Sequence, residues 1–457
     1  MTKIGITIFG GTGDLSYRKL LPALYNLFIR EKLGEDFDVC AIGRRDYSIE
    51  EYISIIQPWI EKYARLKVEQ SKLDEFYKHI NYMKLDFTNL DDYEVLQTYY
   101  KKLEVKNHIV YMAVAPEFFN VISNGIAKIP AIRSPKIILE KPFGANLEDA
   151  KILNDKLEYV FGYENIYRID HYLGKEMVRN ILTIRESNPL FSNVWNKENI
   201  ECVHISALEL VGIGSRAGYY DSTGAVKDMV QNHLLQILSI VAMDDPSKNL
   251  SEQQFNVLRD LRDVNKIDIK DSLILAQYDG YLDEENVKPN SNTETYAALK
   301  LFIDNDRWRG VPFFIRTGKC TSDREMEVTI TFKRISPDVE PNLLIVKIQP
   351  IEGVYLEFNI KTPGEEKGRT KAKMEFCQNC EDIFRINTPE AYERMLLACI
   401  NNDNSWFSKW GQIELSWKYI DELMRGYTRP IYSYSKGSNG PIEADNLAEN
   451  PDQKWRK

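Results

Sequence analysis

Residues 3–9 form a short apolar run that stops at Gly10-Gly11-Thr12-Gly13-Asp14-Leu15, and a helical pattern follows at once. Leu20, Leu21, Leu24, Leu27 and Phe28 fall on one side of that helix, with Gly34 as its expected stop. A strand feeding a glycine turn and then a helix leaves few folds open. It sets backbone N–H groups at the positive end of a helix dipole, where a pyrophosphate binds well. Read as G-x-G-x-x-G from Gly11, the pattern has Ser16 at its third glycine. The turn alone therefore does not separate a dinucleotide cradle from an ordinary tight turn.

The neighbouring segments extend the argument. Val39–Ile42, His108–Val114 and Lys136–Leu139 are further strand candidates, with helical segments between them. Strands alternating with helices predict a parallel sheet with crossovers. Beyond about residue 170 the texture changes. Val328–Phe332, Leu343–Ile348 and Val354–Ile360 follow one another as strand candidates without helices, as in an antiparallel sheet with one covered face. Thr388-Pro389-Glu390 reads as N-cap, first helical residue and acidic first turn of a helix whose apolar stripe is Tyr392, Met395, Leu396 and Cys399. The polar segment from about Tyr434 to Lys457 has little to bury and is expected to be partly loose. The predicted fold is an α/β Rossmann-type dinucleotide-binding domain over residues 1–170. An α+β domain with a large, mainly antiparallel sheet follows over residues 171–457.

At the end of the second strand a site for an unphosphorylated ribose usually carries an acidic residue. This chain instead offers Gly43-Arg44-Arg45, with Asp46 beyond. Guanidinium forks suit a 2′-phosphate, which favours NADP over NAD, with NAD as a weaker alternative. Arg44 is the expected phosphate ligand and Arg45 the one expected to be solvated. Lys and Arg number 59 against 68 Asp and Glu, a formal net charge of -9, so no basic field invites nucleic acid. No apolar run reaches transmembrane length, and Met1–Ile6 enters a strand-like run without a signal-peptide region; a cytoplasmic protein is expected. Six cysteines over 457 residues make no disulfide scaffold. Cys377-Gln378-Asn379-Cys380 has metal-like spacing without a second ligand pair, so two ordinary thiols and no metal are expected there.

Two clusters carry chemistry. Asp170-His171-Tyr172-Leu173-Gly174-Lys175 packs a carboxylate, an imidazole, a phenol and an ammonium around one glycine, a set suited to a small anionic substrate. His233 lies in an apolar helical pattern with Met229, Gln236 and Ile240 on its face, where an imidazole costs desolvation unless it finds a partner. His79, His108 and His204 have no such setting and read as structural.

Seven stretches resemble the glucose-6-phosphate dehydrogenase family, in family order: Gly10–Leu15, Glu140–Gly144, Arg168–Glu176, Asp228–Gln236, Thr293–Ala298, Arg307–Lys319, and Gly437–Pro441 with Glu443-Ala444. The resemblance implies that glucose 6-phosphate is the substrate and that its C1 hydride passes to NADP. It implies His233 as general base and Asp170 as the carboxylate that orients and stabilises the imidazolium. It places His171, Tyr172 and Lys175 at the phosphate, and Glu209, Asp228, Lys319 and Arg324 at the sugar. Lys141 falls between sugar and nicotinamide, with Pro142 shaping that corner. The cofactor residues implied are Gly10, Gly11, Thr12, Gly13, Asp14, Leu15 and Arg44, with Asp86 and Phe87 bordering the adenine. A homodimer through the large sheet, or a homotetramer, is also implied, with no membrane partner.

Three features depart from the family pattern. Ala217 stands where a second glycine is common, and the chain is somewhat short. Glu325 and Thr329 occupy positions that help bind a second, structural NADP in animal enzymes, so that site is not expected. Two other readings share parts of the pattern. A sugar oxidoreductase of the glucose–fructose oxidoreductase type would explain Glu140-Lys141-Pro142 but not the phosphate cluster. A non-catalytic nucleotide-binding scaffold would predict damage at Asp170, Lys175 or His233, all of which stand.

Overall fold

Six runs of mostly buried residues pair in parallel to make the first sheet: β1 Ile4–Phe9, β2 Phe37–Gly43, β3 Ile80–Lys84, β4 Asn107–Met112, β5 Lys136–Leu139 and β6 Ile166–Arg168. The computed structural model describes residues 3–34, 36–377 and 388–456, and every count here is of those residues. The strand order is β3-β2-β1-β4-β5-β6. β1 and β2 are buried at every position, as a strand covered by helices on both faces must be. This sheet is the frame of one compact unit, Met1–Gly174 together with Ile386–Trp410.

The helix after the glycine turn begins in a wide turn, Ser16–Leu20, where the Leu21 N–H bonds the Ser16 carbonyl five residues back. It continues as Leu21–Ile29 and ends there, short of Gly34. Glu31 takes the left-handed conformation (φ 55°), and the Glu31 and Lys32 N–H groups bond back to the Phe28 and Leu27 carbonyls. That double closure usually uses glycine, and here a glutamate takes the place expected of Gly34.

A helix from far downstream, Ala391–Ile400, packs in the same unit, with Met395, Leu396 and Cys399 in its core. It starts later than Thr388-Pro389 suggested. Glu390 is the N-cap, and Glu390 and Glu393 bond each other's backbone N–H reciprocally, so the acid pair displaces the threonine. Glu393 is 1% exposed and is held by Arg65 at 2.9 Å and by the Asn26 amide at 3.1 Å.

The second unit, Lys175–Arg385 with Gly411–Lys457, is built on nine strands. They are β7 Ile200–Leu208, β8 Leu273–Tyr278, β9 Tyr296–Leu301, β10 Phe313–Gly318, β11 Glu325–Phe332, β12 Leu343–Gln349, β13 Gly353–Lys361, β14 Arg369–Cys377 and β15 Tyr432–Tyr434. Their order is β14-β13-β12-β11-β7-β10-β9-β8-β15. The pairs are antiparallel except β7–β10 and β8–β15. The expected α+β domain with a large, mainly antiparallel sheet is therefore present.

The tail is not loose. β15 joins the sheet, Leu447 and Ala444 are buried, and Trp455 donates its indole N–H to the Ala444 carbonyl at 3.2 Å. Arg316 lies 4.6 Å over the Trp455 ring, and Asp452 pairs with Arg334 at 2.5 Å. A polar tail holds when one aromatic and one ion pair anchor it. Cys377 closes β14 and is disulfide-bonded, unlike the ordinary thiol expected, while Gln378, Asn379 and Cys380 lie outside the described residues. Among the described residues, no helix is long and apolar enough to cross a membrane.

Candidate active site

The first unit gathers its functional groups at the carboxyl ends of the parallel strands. At the end of β1, the Gly10 and Gly11 N–H groups bond the Ile42 carbonyl at 3.1 and 2.8 Å, and the Gly13 N–H bonds the Gly10 carbonyl at 2.9 Å. Gly10 has φ +87°, and a Cβ there would meet the Ala113 carbonyl oxygen at 2.2 Å. A Cβ on Gly11 would meet Ala41 at 2.7 Å. The turn is thus packed against the ends of β2 and β4, where the strand order reverses and a crevice opens in such sheets.

A cleft of about 380 Å³ lies there, lined by Gly10, Thr12, Gly13, Gly43, Arg44, Arg45, Phe87, Val114, Ala115 and Phe118. Five of the predicted cofactor residues, Gly10, Thr12, Gly13, Arg44 and Phe87, meet in this one space. Gly11 lies beneath them, buried. Asp14 is exposed and pairs with Arg18 at 2.7 Å, and Leu15 packs against the core. Asp86 is exposed; Thr88 hydrogen bonds, with Arg44 as a smaller influence, hold its carboxyl below the usual range. Arg45 is exposed, as expected; it also lines the cleft and donates to the Tyr47 hydroxyl at 3.4 Å. Val114, Ala115 and Phe118 are cleft residues that no motif marks, although the strand signal His108–Val114 ends at the first of them. The cradle that a Cβ would fill and the paired guanidiniums fit a dinucleotide with a 2′-phosphate.

Farther along the same sheet edge stand the groups after β5 and β6. Glu140 is partly buried, its carboxylate bonded by the Tyr111 and Tyr392 hydroxyls, with Tyr111 donating at 2.5 Å, and desolvation raises its pKa. The Lys141–Pro142 peptide is cis. Asp170 is 3% exposed and accepts the Tyr172 N–H at 2.9 Å. Burial pushes its carboxyl up to about 6, against the opposing charges of His171 and Lys141 and the Tyr172 N–H. Asp170, His171, Tyr172 and Lys141 are thus held close together in this unit.

In the second unit, Val226–Leu234 is a second wide-turn segment, closed by a Leu235 N–H bond to the Val230 carbonyl five residues back. Such segments are rare and frequent at functional sites. It carries Asp228 (5% exposed) and His233 (1% exposed), and it packs against β10. Lys319, just past β10, forms an ion pair with Glu209, just past β7, and its ammonium lies 5.6 Å over the Tyr220 ring. The Asp228 charge also bears on Tyr220, whose hydroxyl is held well above its usual range, chiefly by burial. Glu209, Lys319 and Asp228 therefore converge around Tyr220. Lys175 stands at the N-cap position of the helix Glu176–Ser187 without a side-chain capping bond, and Arg324 is exposed between β10 and β11. Glu325 pairs with Arg316 at 3.4 Å, and Thr329 donates to Glu327 at 3.0 Å.

Glu294 carries no role in the sequence beyond its motif, yet its buried carboxylate accepts the Val226 N–H at 3.0 Å, at the start of the segment that bears His233. Gly224 (φ +70°) lets it approach, since a Cβ there would meet the Glu294 oxygen at 2.3 Å. Burial pushes the Glu294 carboxyl up to about 7.

A glycine cradle at the switch point of a six-stranded parallel sheet defines a dinucleotide-binding protein, and the second unit gathers charged groups suited to a polar substrate. Two family models cover nearly all of the sequence: the glucose-6-phosphate dehydrogenase NAD binding domain matches residues 7–180 and the C-terminal domain of that enzyme matches residues 182–456. The chain belongs to the glucose-6-phosphate dehydrogenase family. It is 37% identical to the glucose-6-phosphate 1-dehydrogenase of Bacillus subtilis (strain 168), over 99% of this chain and 98% of that protein. Identity to the enzyme of that name from Borreliella burgdorferi is 39%, over 100% and 99%. A solved glucose-6-phosphate dehydrogenase in complex with its substrate glucose-6-phosphate superposes with TM-score 0.91 at 30% identity, covering 100% of this chain and 99% of that one.

Proposed function

We propose that this protein oxidises D-glucose 6-phosphate at C1 to 6-phosphoglucono-1,5-lactone with NADP as the preferred hydride acceptor and NAD as a weaker one. This is the first step of the oxidative pentose phosphate pathway. The observation that carries the reading is the full-length likeness to glucose-6-phosphate 1-dehydrogenases, together with Asp170, Lys175 and His233 standing intact.

The cofactor is held by the Gly10–Leu15 turn, with Arg44 at its 2′-phosphate and Phe87 beside the adenine. Asp86 borders the same end, and Pro142 the other. When bound, the oxidised nicotinamide supplies the hydride acceptor. His233 takes the C1 hydroxyl proton on a ring nitrogen, and Asp170 orients that ring and balances its charge. His171, Tyr172 and Lys175 hold the 6-phosphate, and Glu209, Asp228, Lys319 and Arg324 hold the sugar hydroxyls. Lys141 sits between sugar and nicotinamide. The oxidation of a hemiacetal needs one base, one hydride acceptor and tight orientation, so no metal has a step to perform. The phosphate, remote from C1, supplies binding energy that orients the reacting carbon, so Lys175 and His171 act on kcat as well as on KM.

The assembly proposed is a homodimer, with a homotetramer as the alternative, in the cytoplasm. Ile360 and Met374 on β13 and β14 support a sheet-mediated contact, being 41% and 61% exposed. Sedimentation of the purified protein tests it. Formation of reduced cofactor from glucose 6-phosphate, compared for NADP⁺ and NAD⁺ and against free glucose, tests the activity.

A further inference from the structure

The turns that would hold the pyrophosphate and the 2′-phosphate are separate in sequence, yet two tyrosines join them. Tyr52 is fully buried and donates its hydroxyl to the Gly11 carbonyl at 2.8 Å, beneath the glycine turn. Its ring stacks on Tyr82, with centroids 4.7 Å apart and planes 23° apart. Tyr82, on β3, donates its own hydroxyl to the Arg45 carbonyl at 2.6 Å. The chain of contacts thus runs from Gly11 through two rings to the peptide that follows Arg45. Gly43 lies at its centre: a Cβ there would meet the Tyr82 hydroxyl at 2.7 Å and the Thr12 methyl at 2.8 Å. The Tyr47 ring flanks Tyr82 at 5.7 Å, and its hydroxyl accepts from the Arg45 guanidinium at 3.4 Å.

We infer that Tyr82, braced by Tyr52, is a specificity-determining positioning residue that fixes the Arg44-Arg45 turn at the distance from the glycine turn that an adenosine 2′-phosphate spans. Both arginines are exposed, and the Arg45 guanidinium reaches the Tyr47 hydroxyl only at 3.4 Å, while Asp46 beyond them pairs with Lys84 at 2.9 Å. Without the phenol the backbone at Arg45, next to Arg44, loses its tie to β3. Each arginine must then be ordered anew when a 2′-phosphate arrives, whereas a bare ribose makes no demand on that turn. The inference rests on the proposed NADP preference.

The test uses the full-length protein and its Tyr82→Phe, Tyr52→Phe and Arg44→Ala variants. Dissociation constants are measured for NADP⁺, NAD⁺ and the probe adenosine 2′,5′-bisphosphate, with thermal midpoints as a folding control. Phenylalanine keeps the stacked ring and removes one hydrogen bond. Tyr82→Phe should weaken NADP⁺ and the bisphosphate by about three- to tenfold and leave NAD⁺ within about twofold. Tyr52→Phe should shift the same ratio in the same direction. Equal weakening of both cofactors would make the tyrosines general supports of the fold and overturn the inference. Unchanged affinities for all three ligands, with Arg44→Ala losing the NADP⁺ preference, would overturn it while sparing the cofactor assignment. No change in preference in Arg44→Ala would instead refute the assignment on which the inference stands.

Discussion

Replacing Glu294 by glutamine should stabilise the protein at pH 8 and leave it almost unchanged at pH 5. Two effects compete at this carboxyl. It accepts the Val226 N–H at the start of the segment that carries Asp228 and His233, where a negative charge is favoured by the aligned peptide dipoles. It is also buried, 7% exposed, which disfavours that charge. Burial wins and raises the carboxyl from 4.5 to about 7, with Lys227 as a nearby opposing charge. A folded-state pKa raised above the unfolded one means that the folded protein keeps a proton the unfolded chain has lost. The resulting stability is full below about pH 4.5 and declines as pH rises through 7, by about 3 kcal/mol in all. Glutamine accepts the same N–H and does not titrate. The difference in unfolding free energy, Glu294→Gln minus wild type, should therefore grow by about 2–3 kcal/mol between pH 5 and pH 8. Urea titrations at the two pH values, followed by the fluorescence of the second unit's tryptophans, measure it. A difference that is the same at both pH values would refute the reasoning. So would a glutamine variant less stable than wild type at pH 8, since the dipole would then have prevailed.

Four further outcomes are expected. His233→Asn should lower kcat by roughly 10²–10⁴-fold with cofactor affinity retained; near-normal turnover would remove His233 as the base. The carboxyl of Asp170 is raised to about 6, and its ionised form balances the imidazolium, so kcat/KM should fall as pH drops through about 6; Asp170→Asn should lower kcat above that pH and make the fall less steep. Arg44→Ala should cost roughly 10–100-fold in NADP⁺ affinity, the worth of a charge-assisted bond, with little effect on NAD⁺ in direct titrations. Gly10→Ala forces a Cβ to within 2.2 Å of the Ala113 carbonyl at a φ of +87°, so cofactor binding should be lost and the thermal midpoint should fall.

The readable parts of the fold were the local ones. β1, the glycine turn and the helix behind it follow one another within thirty residues, and each carries its own periodicity. β11, β12 and β13 were readable for the same reason: each pairs with its neighbour in sequence. The parallel pairing of β7 with β10 joins strands more than a hundred residues apart, and nothing local announces it. The helix Ala391–Ile400 shows its own amphipathic stripe, but its place in the first unit is set by a buried Glu393 meeting Arg65 and Asn26. Lys319 and Glu294 are legible as motif members and not as contacts, because the Glu209–Lys319 pair and the Glu294–Val226 bond join segments that meet only in three dimensions. The same holds for Tyr52 and Tyr82, which in sequence are ordinary apolar positions of a helix and a strand. The wide turns at Ser16–Leu20 and Val226–Leu234 left no mark, since one inserted residue per turn does not alter the apolar spacing enough to be seen.

The rate of reduced-cofactor formation by the purified protein with glucose 6-phosphate, compared between NADP⁺ and NAD⁺, tests the central claim most directly. The account predicts rapid turnover that favours NADP⁺ and depends on His233. No turnover with either cofactor, by a folded protein that binds them, would contradict it.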